Sequence, residues 1–281
     1  IKRLLKRLNV DDEKYPAKHL MYFINSAKDQ GLRASEVETS DDYQRKFAEL
    51  YAAYDDQCQR EGVVDFAELL LRSYELLTRN QPLREHYQAR FKHVLVDEFQ
   101  DTNDLQYKWL KLLAGDHAAV FAVGDDDQSI YAFRGANVGN MSAFEREFNV
   151  QNLIKLEQNY RSTSAILRAA NNVIGPNPKL FPKKLFSELG PGEPVRLCEA
   201  DHEEHEAERI VHRIQSLRAA EDTGQGLSAW REWKHFAVLY RANHQSRALE
   251  QAFRKAAIPY KVSGGQSFFD RAEIRDLCAW L

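Results

Sequence analysis

Three cysteines in 281 residues, Cys58, Cys198 and Cys278, are too few, too scattered and odd in number for a disulfide framework or a local zinc motif. A reducing compartment suits such a chain. No apolar run approaches the roughly 18 residues of a membrane span, and the opening Ile1-Lys2-Arg3-Leu4 has neither an initiating Met nor the make-up of a signal peptide. The expectation is a soluble cytoplasmic protein, entered in mid-helix as a piece of a longer one. Basic excess is missing too: 39 Lys and Arg against 42 Asp and Glu give a net charge of −3. Global charge therefore cannot hold nucleic acid, and any such contact needs a local groove. With 43% hydrophobic and 29% charged residues, the chain can still build two or three globular cores.

What is present centres on residues 94–103, Val-Leu-Val-Asp-Glu-Phe-Gln-Asp-Thr-Asn, where an apolar run ends in two carboxylates. The run reads as a short buried strand, and ligands of open parallel sheets sit at that carboxyl end. Adjacent acids suit a division of labour, Asp97 holding a magnesium ion and Glu98 orienting or deprotonating a water. A second run, Ala118 to Val123, ends in Gly124-Asp125-Asp126-Asp127-Gln128-Ser129, followed by Ile130-Tyr131-Ala132-Phe133-Arg134-Gly135. A third, Leu153 to Leu156, ends in Glu157-Gln158-Asn159-Tyr160-Arg161-Ser162. Strands alternating with helical patterns predict an α/β fold with the three loops on one edge.

Those loops, in this order and spacing, resemble motifs two, three and four of the UvrD/Rep/PcrA family of superfamily 1 DNA helicases. Val64-Asp65-Phe66-Ala67-Glu68-Leu69-Leu70, Leu239-Tyr240-Arg241-Ala242-Asn243, Gly264-Gly265 and Phe268-Phe269 extend the likeness over nearly the whole chain. The resemblance implies RecA-like P-loop NTPase parallel sheets. Residues 1–90 would form a helical subdomain inserted in the first motor domain, 91–157 the second half of that domain, and 158–281 the opening of a second motor domain. It implies ATP and Mg2+ as cofactors, with Asp97 on the metal and Glu98 as general base. Gln128 would sense the γ phosphate and the attacking water, Tyr160 would stack on adenine, and Arg161 would act as an arginine finger. Single-stranded DNA and its junctions with duplex are the implied partners, travelled 3′ to 5′, alongside repair or replication proteins.

Tyr131, Phe133 and Arg134 alternate aromatic with basic, which suits stacking bases while gripping phosphate; Arg241 and Asn243 match DNA-track positions of the second motor domain. Two departures from the family stand out. Phe133 occupies a place where relatives mostly carry Trp, and Ser267 one where they often carry Lys or Arg. The chain also has no Gly-x-x-x-x-Gly-Lys-Ser/Thr and no Gly-Lys dipeptide, so it lacks the cradle that holds β and γ phosphates. By itself it should not turn over ATP.

Along the chain, residues 1–92 read as successive helices, with Leu4, Leu5 and Leu8 against a basic face of Lys2, Arg3, Lys6 and Arg7 that the resemblance sets near duplex DNA. Asp11 or Asp12, Asp41 or Asp42, and Asp65 are the expected helix caps. Later helices are expected over 163–173, 201–217 and 245–257, with Gly175-Pro176-Asn177-Pro178 and Lys183-Lys184 in a loop after the first. Strands are expected at Val195–Cys198, Phe236–Tyr240 and Tyr260–Val262. Three patterns are set aside: Gly224 to Ala229 as a linker, His202-Glu-Glu-His205 as a solvated helix start, and Asn140-Met-Ser142 as an irrelevant sequon. Two other function classes compete, a metal-dependent nuclease using Asp97, Asp101 and Asp125 to Asp127, and a non-catalytic DNA- or protein-binding module.

Overall fold

A computed structural model describes residues 1–219, 232–263, 276 and 279. Two compact units divide the chain, Ile1–Pro194 and Val195–Leu281. The first opens with α1 (Lys2–Arg7), α2 (Ala17–Asp29), α3 (Asp42–Glu61), α4 (Phe66–Arg79) and α5 (Gln81–Arg90). Leu20, Ile24 and Ala27 recur at helical spacing on α2 and pack with Leu5 of α1 and with Phe47, Leu50 and Tyr51 of α3. Leu4 and Leu5 are buried as expected; Leu8, just past the end of α1, is exposed.

Caps follow local chemistry. The Asp41 carboxylate accepts from the Gln44 amide at 2.7 Å, and Asp65 accepts from the Glu68 amide at 2.7 Å. Gly62 ends α3 at φ 65°, the left-handed region that glycine adopts without a side-chain clash. Asp11 does not cap α2. Its carboxylate accepts from the Glu13 and Lys14 amides in a turn, and α2 starts after Pro16, which takes the N-cap position in an extended conformation and offers no side-chain cap.

Within this block lies a buried charge network. Lys28, 1% exposed, meets Asp55 at 3.4 Å, Asp65 at 2.9 Å and Glu68 at 2.8 Å. Arg33 adds Glu68 at 2.9 Å and Glu75 at 2.7 Å, so two cations join α2, α3 and α4. Burial pulls the Lys28 ammonium down, but its bonds to Glu68 and Asp65 more than restore it, leaving it above the usual lysine range. The same bonds hold Asp65 and Glu68 below the usual carboxylate range against the opposing effect of burial, whereas burial dominates at Asp55 and raises it.

Next come β1 (His93–Val96), α6 (Asp104–Ala114), β2 (Ala119–Ala122) and α7 (Gly139–Glu147). The strands pair in parallel, His93 opposite Ala119 and Val96 opposite Ala122. Side chains alternate across them. Val94, Val96, Val120 and Ala122 pack on Phe99, Tyr107, Leu110 and Phe144, while Leu95 (76% exposed) and Phe121 (56%) point to the other face. Asn103 opens α6 through reciprocal 2.8 Å bonds with Gln106, a capping box. Its side-chain amide also donates to Asp29 at 2.9 Å, which fastens the end of α2 beside the loop after β1.

The expected third strand, Leu153–Leu156, is extended and outside any ladder. Its neighbourhood holds a single parallel bridge, Gln158 to Phe186. The helix α8 (Ser164–Ile174) follows as expected. In the second unit α9 (Glu203–Ala219) and α10 (Ser246–Lys255) agree with the sequence, burying Ala207, Val211, Ile214 and Ala248. Val195–Cys198, Phe236–Tyr240 and Tyr260–Val262 form no ladder. A strand needs a partner, and these apolar runs have none among the described residues; Leu153, Ile154, Leu197 and Leu239 stay exposed. The described chain is thus helix-rich with one small parallel sheet, and no described helix is long and apolar enough to cross a membrane.

Candidate functional site

The parallel sheet delivers two loops to one edge. After β1, Glu98 adopts φ 49°, the left-handed region that costs a non-glycine residue about 1–3 kcal/mol. This turn sends Phe99–Asp101 into a short 3-10 helix and leaves Asp97 and Glu98 exposed at the strand's carboxyl end. Backbone bonds lock the two loops together, Val123 N–H to Val96 O at 2.8 Å and Phe99 N–H to Val123 O at 2.9 Å.

Gln100 is the residue that sequence reasoning missed. It is 1% exposed, its amide nitrogen donates to Glu98 Oε2 at 2.7 Å, and its oxygen accepts from the Asp125 amide at 2.9 Å. A side chain able to donate and accept at once was needed, and glutamine two residues past the carboxylates was the available signal. Gly124 makes the approach possible: a Cβ there would lie 2.9 Å from Gln100 Oε1 and 3.3 Å from its backbone nitrogen.

Asp125 then caps a 3-10 turn over Asp126–Gln128. One carboxylate oxygen accepts from the Asp127 amide at 3.0 Å and the other from Gln128 Nε2 at 2.9 Å. Glu98, Gln100, Asp125 and Gln128 therefore form one hydrogen-bonded string across the two loops. The three aspartates bring carboxylate oxygens within 4.8 Å of one another, and lysines face them: Lys183 Nζ lies 2.7, 3.0 and 2.8 Å from Asp125, Asp126 and Asp127, and Lys179 Nζ 2.8 Å from Asp127. Burial pushes Asp126 and Asp127 up, yet hydrogen bonds from Lys183 to Asp126 and from Lys179 and Lys183 to Asp127 bring both below the usual carboxylate range.

Further along the second loop, the Arg134 guanidinium sits 4.9 Å from the Tyr131 ring and 5.4 Å from that of Phe133, the rings themselves 5.9 Å apart. Phe133 and Arg134 are exposed. Gly135 closes this turn at φ 85° with Asp29 packed against it, and Asn137 N–H bonds Thr102 O at 2.9 Å, so the aromatic turn rests on the loop after β1. Asn140 is buried and donates to the Thr102 and Asn103 carbonyls, which removes the sequon as a modification site.

Tyr160 is 77% exposed, its hydroxyl donating to Gln158 at 2.9 Å; Arg161 is exposed, and Asn159 Oδ1 accepts from the Arg161 and Ser162 amides. In the second unit Arg241 is exposed and its amide donates to Gln245 at 3.0 Å, while Asn243 starts a 3-10 turn whose carbonyl accepts from Ser246. His202 and His205 are solvated and bonded to Glu204 and Asp201. Gly264, Gly265, Ser267, Phe268, Phe269 and Cys278, with the Gly224–Ala229 pattern, lie outside the described residues.

As an oxygen ligand Asp97 fits a hard divalent cation, since magnesium keeps several waters and takes one or two carboxylates beside substrate phosphates. The Asp125–Asp127 trio fits a cation poorly, because ammonium groups already occupy its face.

Residues 1–149 match the family described as UvrD/REP helicase N-terminal domain, and residues 154–281 match UvrD-like helicase C-terminal domain. The chain is 45% identical over 282 residues to DNA helicase II of Escherichia coli (strain K12) and 46% over 282 residues to that of Haemophilus influenzae. To the ATP-dependent DNA helicase Rep of Escherichia coli (strain K12) it is 42% identical over 283 residues. These matches cover 100%, 100% and 99% of the chain but 38%, 37% and 41% of the relatives, so the chain spans about two fifths of their length. With one model matching more than half of its length and a second matching nearly all the rest, the chain belongs to the UvrD/Rep helicase family.

Proposed function

We propose that this chain is part of a longer ATP-dependent DNA helicase that moves 3′ to 5′ on single-stranded DNA and opens its junctions with duplex, in repair or replication. The observation that carries the reading is the string Glu98–Gln100–Asp125–Gln128 at the carboxyl ends of two parallel strands, with Tyr131, Phe133 and Arg134 on the same loop. One loop thus has a nucleotide-facing half and a base-facing half. A change at Gln128 can reach Phe133 over five residues.

In this reading the residues divide as the helical block 1–90, the second half of one motor domain over 91–157, and the start of another over 158–281. Bound magnesium would neutralise phosphate charge, with Asp97 as its ligand. Glu98 takes a proton from the attacking water, held in place by Gln100. Gln128 orients that water, Tyr160 stacks on the adenine, and Arg161 offset charge gathering on the transferred phosphate, a role worth 10³ to 10⁵ in rate. Tyr131, Phe133 and Arg134 stack bases and hold phosphate; in the second unit Arg241 and Asn243 are DNA-contacting residues in their own right. Lacking a Gly-Lys cradle, the chain alone binds without turnover; the activity belongs to the longer protein.

The nuclease reading is weaker. Clustered carboxylates suit two metals, but Lys179 and Lys183 already pair with Asp125, Asp126 and Asp127. The test is ATP turnover by the longer protein with and without single-stranded DNA. Glu98→Gln should keep nucleotide binding and lower turnover by about 10² to 10⁴. Near-normal turnover in that variant removes Glu98 from the role.

A further inference from the structure

Between α8 and Pro194 an extended segment, residues 179–187, touches both site loops in turn. Its first half grips the turn that carries Gln128. Three adjacent carboxylates repel one another, and Lys183 answers with one contact to each, 2.7 Å to Asp125, 3.0 Å to Asp126 and 2.8 Å to Asp127. The ammonium donates hydrogen bonds to Asp126 Oδ1 and Asp127 Oδ2 and is ion-paired with Asp125. Lys179 takes both oxygens of Asp127 at 2.8 and 2.9 Å, and the Leu180 and Phe181 amides donate to Asp126 Oδ2 at 2.9 and 3.3 Å. These groups are largely sheltered, with side-chain exposures of 15% for Lys183 and 5% for Asp126, so water screens them less than a surface pair.

Its second half grips the loop that carries Tyr160 and Arg161. The Lys184 amide donates to Glu157 Oε1 at 2.8 Å, Phe186 N–H to Glu157 O at 3.0 Å, and Asn159 N–H to Phe186 O at 2.7 Å. Asn159 in turn holds the Arg161 and Ser162 amides through its side-chain oxygen, at 3.0 and 2.8 Å. Lys183 and Lys184 are adjacent, so one peptide unit separates the tie to the Gln128 turn from the tie to the Arg161 loop.

We infer that Lys183, assisted by Lys179, is a positioning residue for nucleotide hydrolysis: it fixes the Asp125–Gln128 turn and couples it to the loop bearing Tyr160 and Arg161. This rests on the reading of Gln128 and Arg161 as nucleotide-facing groups. Lys183 itself touches no phosphate. It acts by keeping two loops in one register, where a displacement of about 1 Å can cost about 10²-fold in rate.

Two measurements test it. In the longer protein, Lys183→Met should lower kcat for DNA-stimulated ATP turnover by about 10-fold to 10²-fold with little change in the KM for ATP, and Lys183→Arg should recover most of the loss. Lys183→Met combined with Asp126→Asn restores the local charge balance, so it should fold well and remain slow. Wild-type turnover in the double variant, or equal loss with Met and Arg, overturns the inference. In the chain itself, amide hydrogen exchange should rise in Lys183→Met at Asp127 and Gln128 and, together with them, at Arg161 and Ser162. A rise confined to the first pair breaks the proposed coupling. Should the wild type show no turnover that depends on Glu98, the functional reading fails, and the exchange pattern still decides whether the segment couples the loops.

Discussion

The helical block and the sheet region bury their apolar residues in different ways. Within α1–α5 the inward-facing side chains are covered on all sides: Leu20, Tyr51 and Leu71 are fully buried and the charges that enter are paired, while Phe66, Leu69 and Leu76 stay exposed along the outside of α4. The sheet region covers one face, with Phe99, Tyr107 and Phe144, and leaves Leu95 and Phe121 open on the other. Helices satisfy their own backbone groups, whereas strands need neighbours on both edges and cover on both faces.

Breaking the block should have the largest effect. Lys28→Met removes the buried ammonium from half-buried Asp55 and Asp65 and from buried Glu68, leaving Arg33 to face Asp55 and Glu68 alone, a change that should cost up to about 3–5 kcal/mol; urea denaturation of the chain reads it. Next comes one substitution made in both regions. Leu71→Ala, in the closed core, should cost about 2–5 kcal/mol, and Leu95→Ala, on the open face, should stay within about 0.5 kcal/mol. Equal losses would erase the contrast.

A smaller effect belongs to the seam between the loops. Gly124→Ala pushes a methyl against buried Gln100 and should cost about 1–3 kcal/mol while loosening Glu98, measurable as lower turnover in the longer protein. The smallest is the pH response of the block. Asp65 and Glu68 have depressed folded values, so their contribution is full above the unfolded carboxylate range and lost as pH falls through the folded values. Asp55, raised by burial, works in the opposite sense and blunts the slope. Lys28, raised on folding, contributes below the unfolded lysine value and loses its contribution as pH climbs through the folded one. Glu68→Gln should flatten the acid limb of a stability–pH curve; an unchanged limb would place the acid sensitivity elsewhere.

Local chemistry was readable in the sequence. Asp41 and Asp65 each precede an apolar period and do cap α3 and α4, and the runs ending in Asp97-Glu98 and Gly124-Asp125 are the paired strands. Longer-range chemistry was not. Gln100 finds its partner 25 positions away, and Lys183 finds its aspartates 56 to 58 away, separations that no periodicity reports. Lys28 left a fainter mark: it falls on the same face of α2 as Leu20, Ile24 and Ala27, where a solvated lysine would be out of place. The runs at 153–156, 195–198, 236–240 and 260–262 have strand composition without strand pairing, because pairing belongs to two segments and composition to one.

Strand separation by the longer protein tests the central claim most directly. A duplex with a 3′ single-stranded tail, supplied with ATP and magnesium, should be unwound by the wild type and left intact by Glu98→Gln, and a duplex with a 5′ tail should resist both. Cleavage of the DNA with magnesium and no nucleotide, or unwinding indifferent to Glu98, would contradict it.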